Sequence, residues 1–212
     1  QIGKFWQLVD ESFSVAVKAH LDRRRFVLSL SHSALKALCD EPGCEPYCLE
    51  RSACLIEITG LAESVFFILG QEIHENDGME LATQTLALLR ELCADFSEKH
   101  DQRIILADCC RGGNAERHFM QIDMHKFPSA PQIFADYTRG AHLRLYSTLT
   151  IWEKISCEAR LHRYLPAVIH LMPEMSALEL RKILEFACCE AGAVAVRRSE
   201  EHTSELQSRI TI

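Results

Sequence analysis

The feature that most restricts this chain is the stretch from Ala53 to Glu75, ACLIEITGLAESVFFILGQEIHE. Ala53 to Thr59 is apolar and β-branched, broken only by Glu57, which is the composition of a mostly buried strand. Gly60 interrupts that run. Leu61, Val65, Ile68 and Leu69 then recur at helical spacing, and Glu63 stands three residues after Gly60, where a capping side chain belongs if Gly60 opens a helix. A buried strand that passes through a glycine turn into an apolar helix is half of a βαβ unit, so the stretch predicts an α/β protein.

The rest of the chain repeats that alternation. Residues 4–38 read as one long helix or two, with Phe5, Leu8, Val9, Phe13, Val17, Leu21, Phe26 and Leu28 forming the apolar stripe. The basic run Arg23, Arg24 and Arg25 lies within it and reads as a solvated face. Asn76 to Lys99 is the clearest helix, with Asp77 and Glu80 as cap and capping-box partner and Leu81, Leu88, Leu89, Leu92 and Phe96 on one side. Arg103–Ala107 is a short apolar strand, and the alternation places the next strand within Pro131–Tyr146. Thr150 with Glu153, and Ser176 with Glu179, open two further helices, the first followed by a strand in RYLPAVIHL. Gly192–Val196 is the last strand. Strands and helices in this order predict a largely parallel sheet covered by helices.

Composition excludes several classes. The net charge is −7 with no basic cluster beyond the arginine run, which argues against a nucleic-acid surface. No apolar run is long enough to span a bilayer, and no secretory signal is visible. Ten cysteines outside a short secreted framework point to a reducing cytoplasm. Four of them, Cys39, Cys44, Cys48 and Cys54, are spaced C-x4-C-x3-C-x5-C, which invites a tetrahedral zinc reading but lacks paired C-x2-C knuckles; free thiols are the plainer assignment, and no metal ligand is assigned. Cys188 and Cys189 sit side by side in a helix and read as small hydrophobes rather than a redox pair.

One string stands out for chemistry: Asp108-Cys109-Cys110-Arg111-Gly112-Gly113-Asn114. It follows a strand and precedes a helix. Gly112 and Gly113 permit a close backbone approach at that helix N-terminus, the geometry that receives phosphate or carboxylate groups. Arg111 can add a bidentate contact. A glycine turn with an exposed arginine is the plain alternative. His162 and His170 are each placed to act as ligand or acid–base group, with a hydrogen-bonded structural histidine as the alternative.

The same residues carry a resemblance. IEITGLAESVFFILGQEIHE resembles the "IG-x-x-GLNEA…G-x-x-x-HE" pattern of the class III, anaerobic ribonucleoside-triphosphate reductases, through Ile58, Gly60, Leu61, Glu63, Gly70, His74 and Glu75, with Ala62 in place of Asn. Phe5, Trp6, Leu8, Ala19, Arg24 and Phe26 follow that family's "FW-x-L…A-x-x-x-(K/R)-R-x-F". His118, Phe119, Asp123, Phe127 and Pro128 keep the frame of "RF-x-x-x-D-x-x-x-FP", with His118 in the arginine place. Cys110, Arg111, Gly112 and Gly113 stand where the family has "TPAE". Tyr137, Thr138, His142 and Leu143 resemble "YTNS-x-HL", and Glu153–His162 resembles "ERI-x-x-E-x-x-LH". A glycine pair usual before the next strand is missing, while its histidine, His170, is kept.

The resemblance implies an α/β fold that is part of the ten-stranded barrel of glycyl-radical enzymes, with residues 1–197 as a partial catalytic domain. The whole protein would reduce ribonucleoside triphosphates to deoxyribonucleotides without oxygen. A glycyl radical, installed by an S-adenosylmethionine iron–sulfur activating enzyme, would generate a thiyl radical that takes the 3′-hydrogen of the ribose. None of the ten cysteines matches the thiyl motif. The thiyl cysteine, the radical glycine and a structural zinc site are therefore expected outside these residues, and the isolated chain is expected to be inactive. Cys110, Arg111, Gly112, Gly113 and His170 are the implied substrate-binding residues, and a homodimer is the implied assembly. Another glycyl-radical enzyme, or a non-catalytic paralogue serving as an interaction scaffold, remains the alternative. Residues 198–212 begin RSEEHTSELQS, which looks like a translated sequencing adapter, and are expected to take no part in the fold.

Overall fold

The computed structural model describes residues 2–30, 52–108, 115–128, 136–144, 148–171, 175–193 and 195–198. Its elements are α1 (Ile2–Ser29), β1 (Cys54–Ile56), α2 (Leu61–Leu69), α3 (Asn76–His100), β2 (Ile104–Leu106), α4 (Ala115–Lys126), α5 (Ile151–His162), β3 (Val168–Leu171), α6 (Ala177–Glu185) running into a π-helical turn (Phe186–Glu190), and β4 (Ala195–Arg198). β1 and β2 pair in parallel, with Cys54 opposite Ile104 and Ile56 opposite Leu106. β3 and β4 also pair in parallel, Val168 opposite Ala195 and Leu171 opposite Arg198. Each pair is joined by helix, as two βαβ units require. None of the described helices is long and apolar enough to cross a membrane.

The chain divides into two compact units: residues 1–56 with 87–106, and residues 57–86 with 107–212. In the first, Phe13 and Val17 are the buried residues of α1. Phe13 meets Phe96 of α3 edge to face, ring centres 5.4 Å apart. The remainder of the predicted α1 stripe is only partly realised, for Leu8, Phe26 and Leu28 are exposed. The chain leaves α3 through Asp101 at φ 48°, a left-handed position that aspartate tolerates. Ser97 fastens the junction: its Oγ accepts from the Ile104 N–H at 3.0 Å and donates to the Cys93 carbonyl at 2.6 Å. Gln102 Nε2 donates to the Ser52 carbonyl at 2.8 Å, which sets the start of β1 beside β2.

In the second unit, Ile155 of α5, Ile169 and Leu171 of β3, and Ile183 and Ala187 of the last helix form one buried cluster. Burying a side chain of this size contributes about 1.5–3 kcal/mol. Two capping boxes are present at the expected helix starts. Thr150 and Glu153 close the first turn of α5, and Ser176 and Glu179 that of α6, each with reciprocal side-chain and backbone bonds. α3 differs: its Glu80 accepts from Gln84 one turn on, and Asp77 accepts from Gln71, so neither closes the predicted box.

Three further expectations change. Residues 136–144 form no regular strand; they turn at Gly140 (φ 54°) and make a single antiparallel bridge, Thr59 to Arg139. The last strand lies at Ala195–Arg198 rather than 192–196 and so includes the first residue assigned to the tail; residues 199–212 lie outside the described residues. Cys188 and Cys189 are both exposed. The wider π-helical turn keeps Ala187 on the core and leaves the two thiols outside.

The cysteines give a direct check. Burial pushes the thiols of Cys54 and Cys93 up, Cys93 to about 11 with the neighbouring Cys54 adding to the effect. Since the thiolate is the reactive form, iodoacetamide at neutral pH should label Cys188 and Cys189 in the native chain and reach Cys54 and Cys93 only after unfolding. Peptide-resolved mass spectrometry reads this, and labelling of Cys93 at the rate of Cys188 would refute the placement.

Candidate functional site

The site grows from the junction of α2 with residues 136–144, all within the second unit. Gly60 caps α2 in a left-handed conformation, φ 82° and ψ 22°, and supplies no side-chain cap. Its N–H donates to the Thr138 carbonyl at 2.7 Å, and the Gly140 N–H donates to the Ile58 carbonyl at 3.0 Å. Glu63, 2% exposed, does not close a capping box as its spacing suggested, because glycine offers no side chain to reciprocate. Its Oε2 instead accepts from both the Thr138 N–H, at 3.0 Å, and the Thr138 hydroxyl, at 2.8 Å. Tyr137 donates its hydroxyl to Asp123 of α4 at 2.8 Å; burial and that carboxylate together push the phenol up to about 12. Arg139 pairs with Glu116 of α4, and Arg144 with Glu72.

The turn at Gly140 brings in Asp108, two residues past β2. A Cβ at Gly140 would stand 2.9 Å from Asp108 Cγ, so only glycine admits the carboxylate there. Asp108 Oδ2 lies 2.8 Å from Nε2 of His142. On the other side of that ring, Nδ1 is 3.6 Å from Oε2 of Glu158. Glu158 projects from α5 and is 1% exposed; its Oε1 accepts the Leu143 N–H at 3.0 Å. One turn later, His162 is fully buried and packs edge-on to His142 with ring centres 5.4 Å apart. Spacing of four residues puts Glu158 and His162 on one face of α5.

Charge is distributed unevenly here. Burial works against the cation on His142, but the hydrogen bond to Asp108 and the nearby Glu158 carboxylate outweigh it and hold the imidazole up at about 9. Burial likewise opposes ionisation of both carboxylates; His142 prevails for each, helped by Lys154 and the Leu143 N–H at Glu158, and both stay below their ordinary range. His162 has the opposite fate. Burial and the neighbouring His142 charge push it down to about 4, so it is neutral at physiological pH. Two carboxylates around one cation make a tight ion cluster, and a neutral imidazole beside it is available as a lone-pair donor. Among the described residues, His142, Glu158 and His162 place ligand atoms within 4.8 Å of one another.

The residues singled out in the sequence fare differently. Cys110, Arg111, Gly112 and Gly113 lie outside the described residues, as do Cys39, Cys44 and Cys48. Cys54 is a buried residue of β1. His170 lies in β3 opposite Arg197. His162 belongs to the cluster just described. Sequence reasoning did not connect it with Asp108, His142 and Glu158, although a Glu and a His four residues apart on one helix were a usable signal. Asp108 and His142, 34 residues apart, gave none.

A family model described as anaerobic ribonucleoside-triphosphate reductase matches residues 1–186. No curated protein matches the chain. Among solved structures the chain is similar to the crystal structure of the anaerobic ribonucleotide reductase from Thermotoga maritima with citrate in the active site. The TM-score is 0.76 at 16% sequence identity, over 94% of this chain and 36% of that one. The likeness is one of fold, and the chain spans little more than a third of that relative.

Two glycines isolate the steric claim at Asp108. Gly70, the C-cap of α2, also has a left-handed φ of 70°, but a Cβ there meets nothing within 4 Å. Gly70→Ala should cost about 1–2 kcal/mol from backbone conformation. Gly140→Ala should exceed that by roughly 1–3 kcal/mol of overpacking. Urea unfolding of the two variants measures the difference, and equal losses would show that Asp108 does not fill the turn.

Proposed function

Because the chain belongs to the anaerobic ribonucleoside-triphosphate reductase family, we propose that the whole protein reduces ribonucleoside triphosphates to deoxyribonucleotides by glycyl-radical chemistry. The chain is then a slice of the ten-stranded barrel, with β1–β2 and β3–β4 as two of its parallel neighbour pairs. The observation that carries this reading is the family match over residues 1–186. The parallel pairing of β1 with β2 supports it, since those strands had to share one sheet for the barrel to hold.

This reading places the thiyl cysteine, the radical glycine and the zinc ligands outside these residues. Among the described cysteines, Cys54 and Cys93 are buried with raised thiols, and Cys188 and Cys189 are exposed neighbours on one turn. None of the described cysteines belongs to a four-thiolate set. What the described residues contribute is a frame: the carboxylates of Glu63, Asp108 and Glu158 hold residues 136–144 in place. The substrate role assigned to Cys110, Arg111, Gly112, Gly113 and His170 belongs to this proposal, as do a cytoplasmic location, a homodimer and an S-adenosylmethionine-dependent activating enzyme.

Full-length protein, purified without oxygen and treated with its activating enzyme and S-adenosylmethionine, is expected to show a glycyl-radical signal by electron paramagnetic resonance. It should then convert ribonucleoside triphosphates to deoxyribonucleotides, while the 212-residue chain alone converts none. A strong radical signal with no deoxyribonucleotide formed from any ribonucleoside triphosphate would overturn the substrate assignment.

A further inference from the structure

The cluster on α5 contains more polar capacity than its hydrogen bonds use. Neither ring nitrogen of His162 has a hydrogen-bond partner, although the residue is fully buried. Glu158 Oε2 and Asp108 Oδ1 are buried in the same condition. An unpartnered buried polar atom costs about 1–3 kcal/mol, so several in one place ask for a group that would satisfy them together. The residue chemistry is specific: two imidazoles and one carboxylate, with two carboxylates in all to balance an added positive charge.

We propose that one ring nitrogen of His162, Oε2 of Glu158 and Nδ1 of His142 bind a divalent transition-metal ion of the zinc class. Imidazole with carboxylate suits such ions, and three protein ligands leave one coordination position for water. Asp108 completes the arrangement from outside, because its contact with Nε2 fixes the His142 ring and turns Nδ1 toward Glu158. A carboxylate behind a ligating histidine is the usual support for a metal site. Bonds of about 2.1 Å set tetrahedral ligands roughly 3.4 Å apart. The present set, within 4.8 Å, closes by roughly 1–1.5 Å on binding, a movement within reach of side-chain rotation. The ion links the turn at 140–143 to α5, and its role is structural. The site does not depend on the reductase reading.

The test uses the whole chain, stripped with chelator and then titrated with Co2+ or Zn2+. One equivalent of Co2+ is expected to give visible d–d bands without the intense near-ultraviolet thiolate absorption that binding to the cysteines would produce. One equivalent of Zn2+ should raise the melting temperature. His162→Leu is expected to fold at least as well as the parent without metal, because it removes two unsatisfied buried nitrogens, and to lose both the d–d bands and the Zn2+-induced rise. Asp108→Asn should retain the site with affinity about 10–100-fold weaker. An unchanged Zn2+ response in His162→Leu, a purely thiolate cobalt spectrum, or no bound metal in the parent would each overturn the proposal. Deoxyribonucleotide formation does not enter any of these readouts, so the two proposals fail separately.

Discussion

Residues 136–144 have no strand or helix to absorb their backbone hydrogen bonds, and the arrangement of the second unit follows from how those bonds are met. A buried backbone N–H must find an acceptor. Thr138 finds Glu63 and Leu143 finds Glu158, each at 3.0 Å, while Gly60 and Gly140 exchange bonds with the carbonyls of Thr138 and Ile58. Two carboxylates, 2% and 1% exposed, are therefore retained in the interior as substitutes for a sheet partner. Removing either would strand a backbone donor, which explains why charge is tolerated where an apolar side chain would otherwise fit.

Once those carboxylates are committed, the chemistry of their neighbours is set. Glu158 gives one oxygen to Leu143 and turns the other toward His142, whose far nitrogen meets Asp108. The imidazole between them stays charged at neutral pH, and that charge contributes to keeping His162 neutral. Two histidines whose rings touch thus behave in opposite ways, because one has a carboxylate on each side, while for the other burial and the adjacent cation outweigh the same carboxylates.

Local signals in the sequence identified much of this fold. The glycine turn after β1, the long helix α3 and the capping boxes of α5 and α6 each depend on residues within a few positions of one another, and each is present. Where a partner lay far along the chain, local reasoning failed. Glu63 had the spacing of a capping residue, yet its partner is Thr138, 75 residues away. A strand is expected within Pro131–Tyr146, but residues 136–144 turn at a left-handed Gly140 and bond to two distant carboxylates, with one bridge, Thr59 to Arg139, in place of a ladder. The Asp108–His142 contact spans 34 residues and had no local mark. Cys188 and Cys189 read as small hydrophobes, yet they lie exposed on a π-helical turn whose buried residue is Ala187.

The most direct test of carboxylate support for this segment is amide hydrogen exchange, resolved by residue. If Glu63 and Glu158 hold the backbone as described, the Thr138 and Leu143 amides exchange as slowly as those inside α2 and α5, despite lying in no regular element. Exchange of both at the rate of a solvated loop, with α5 still protected, would contradict it.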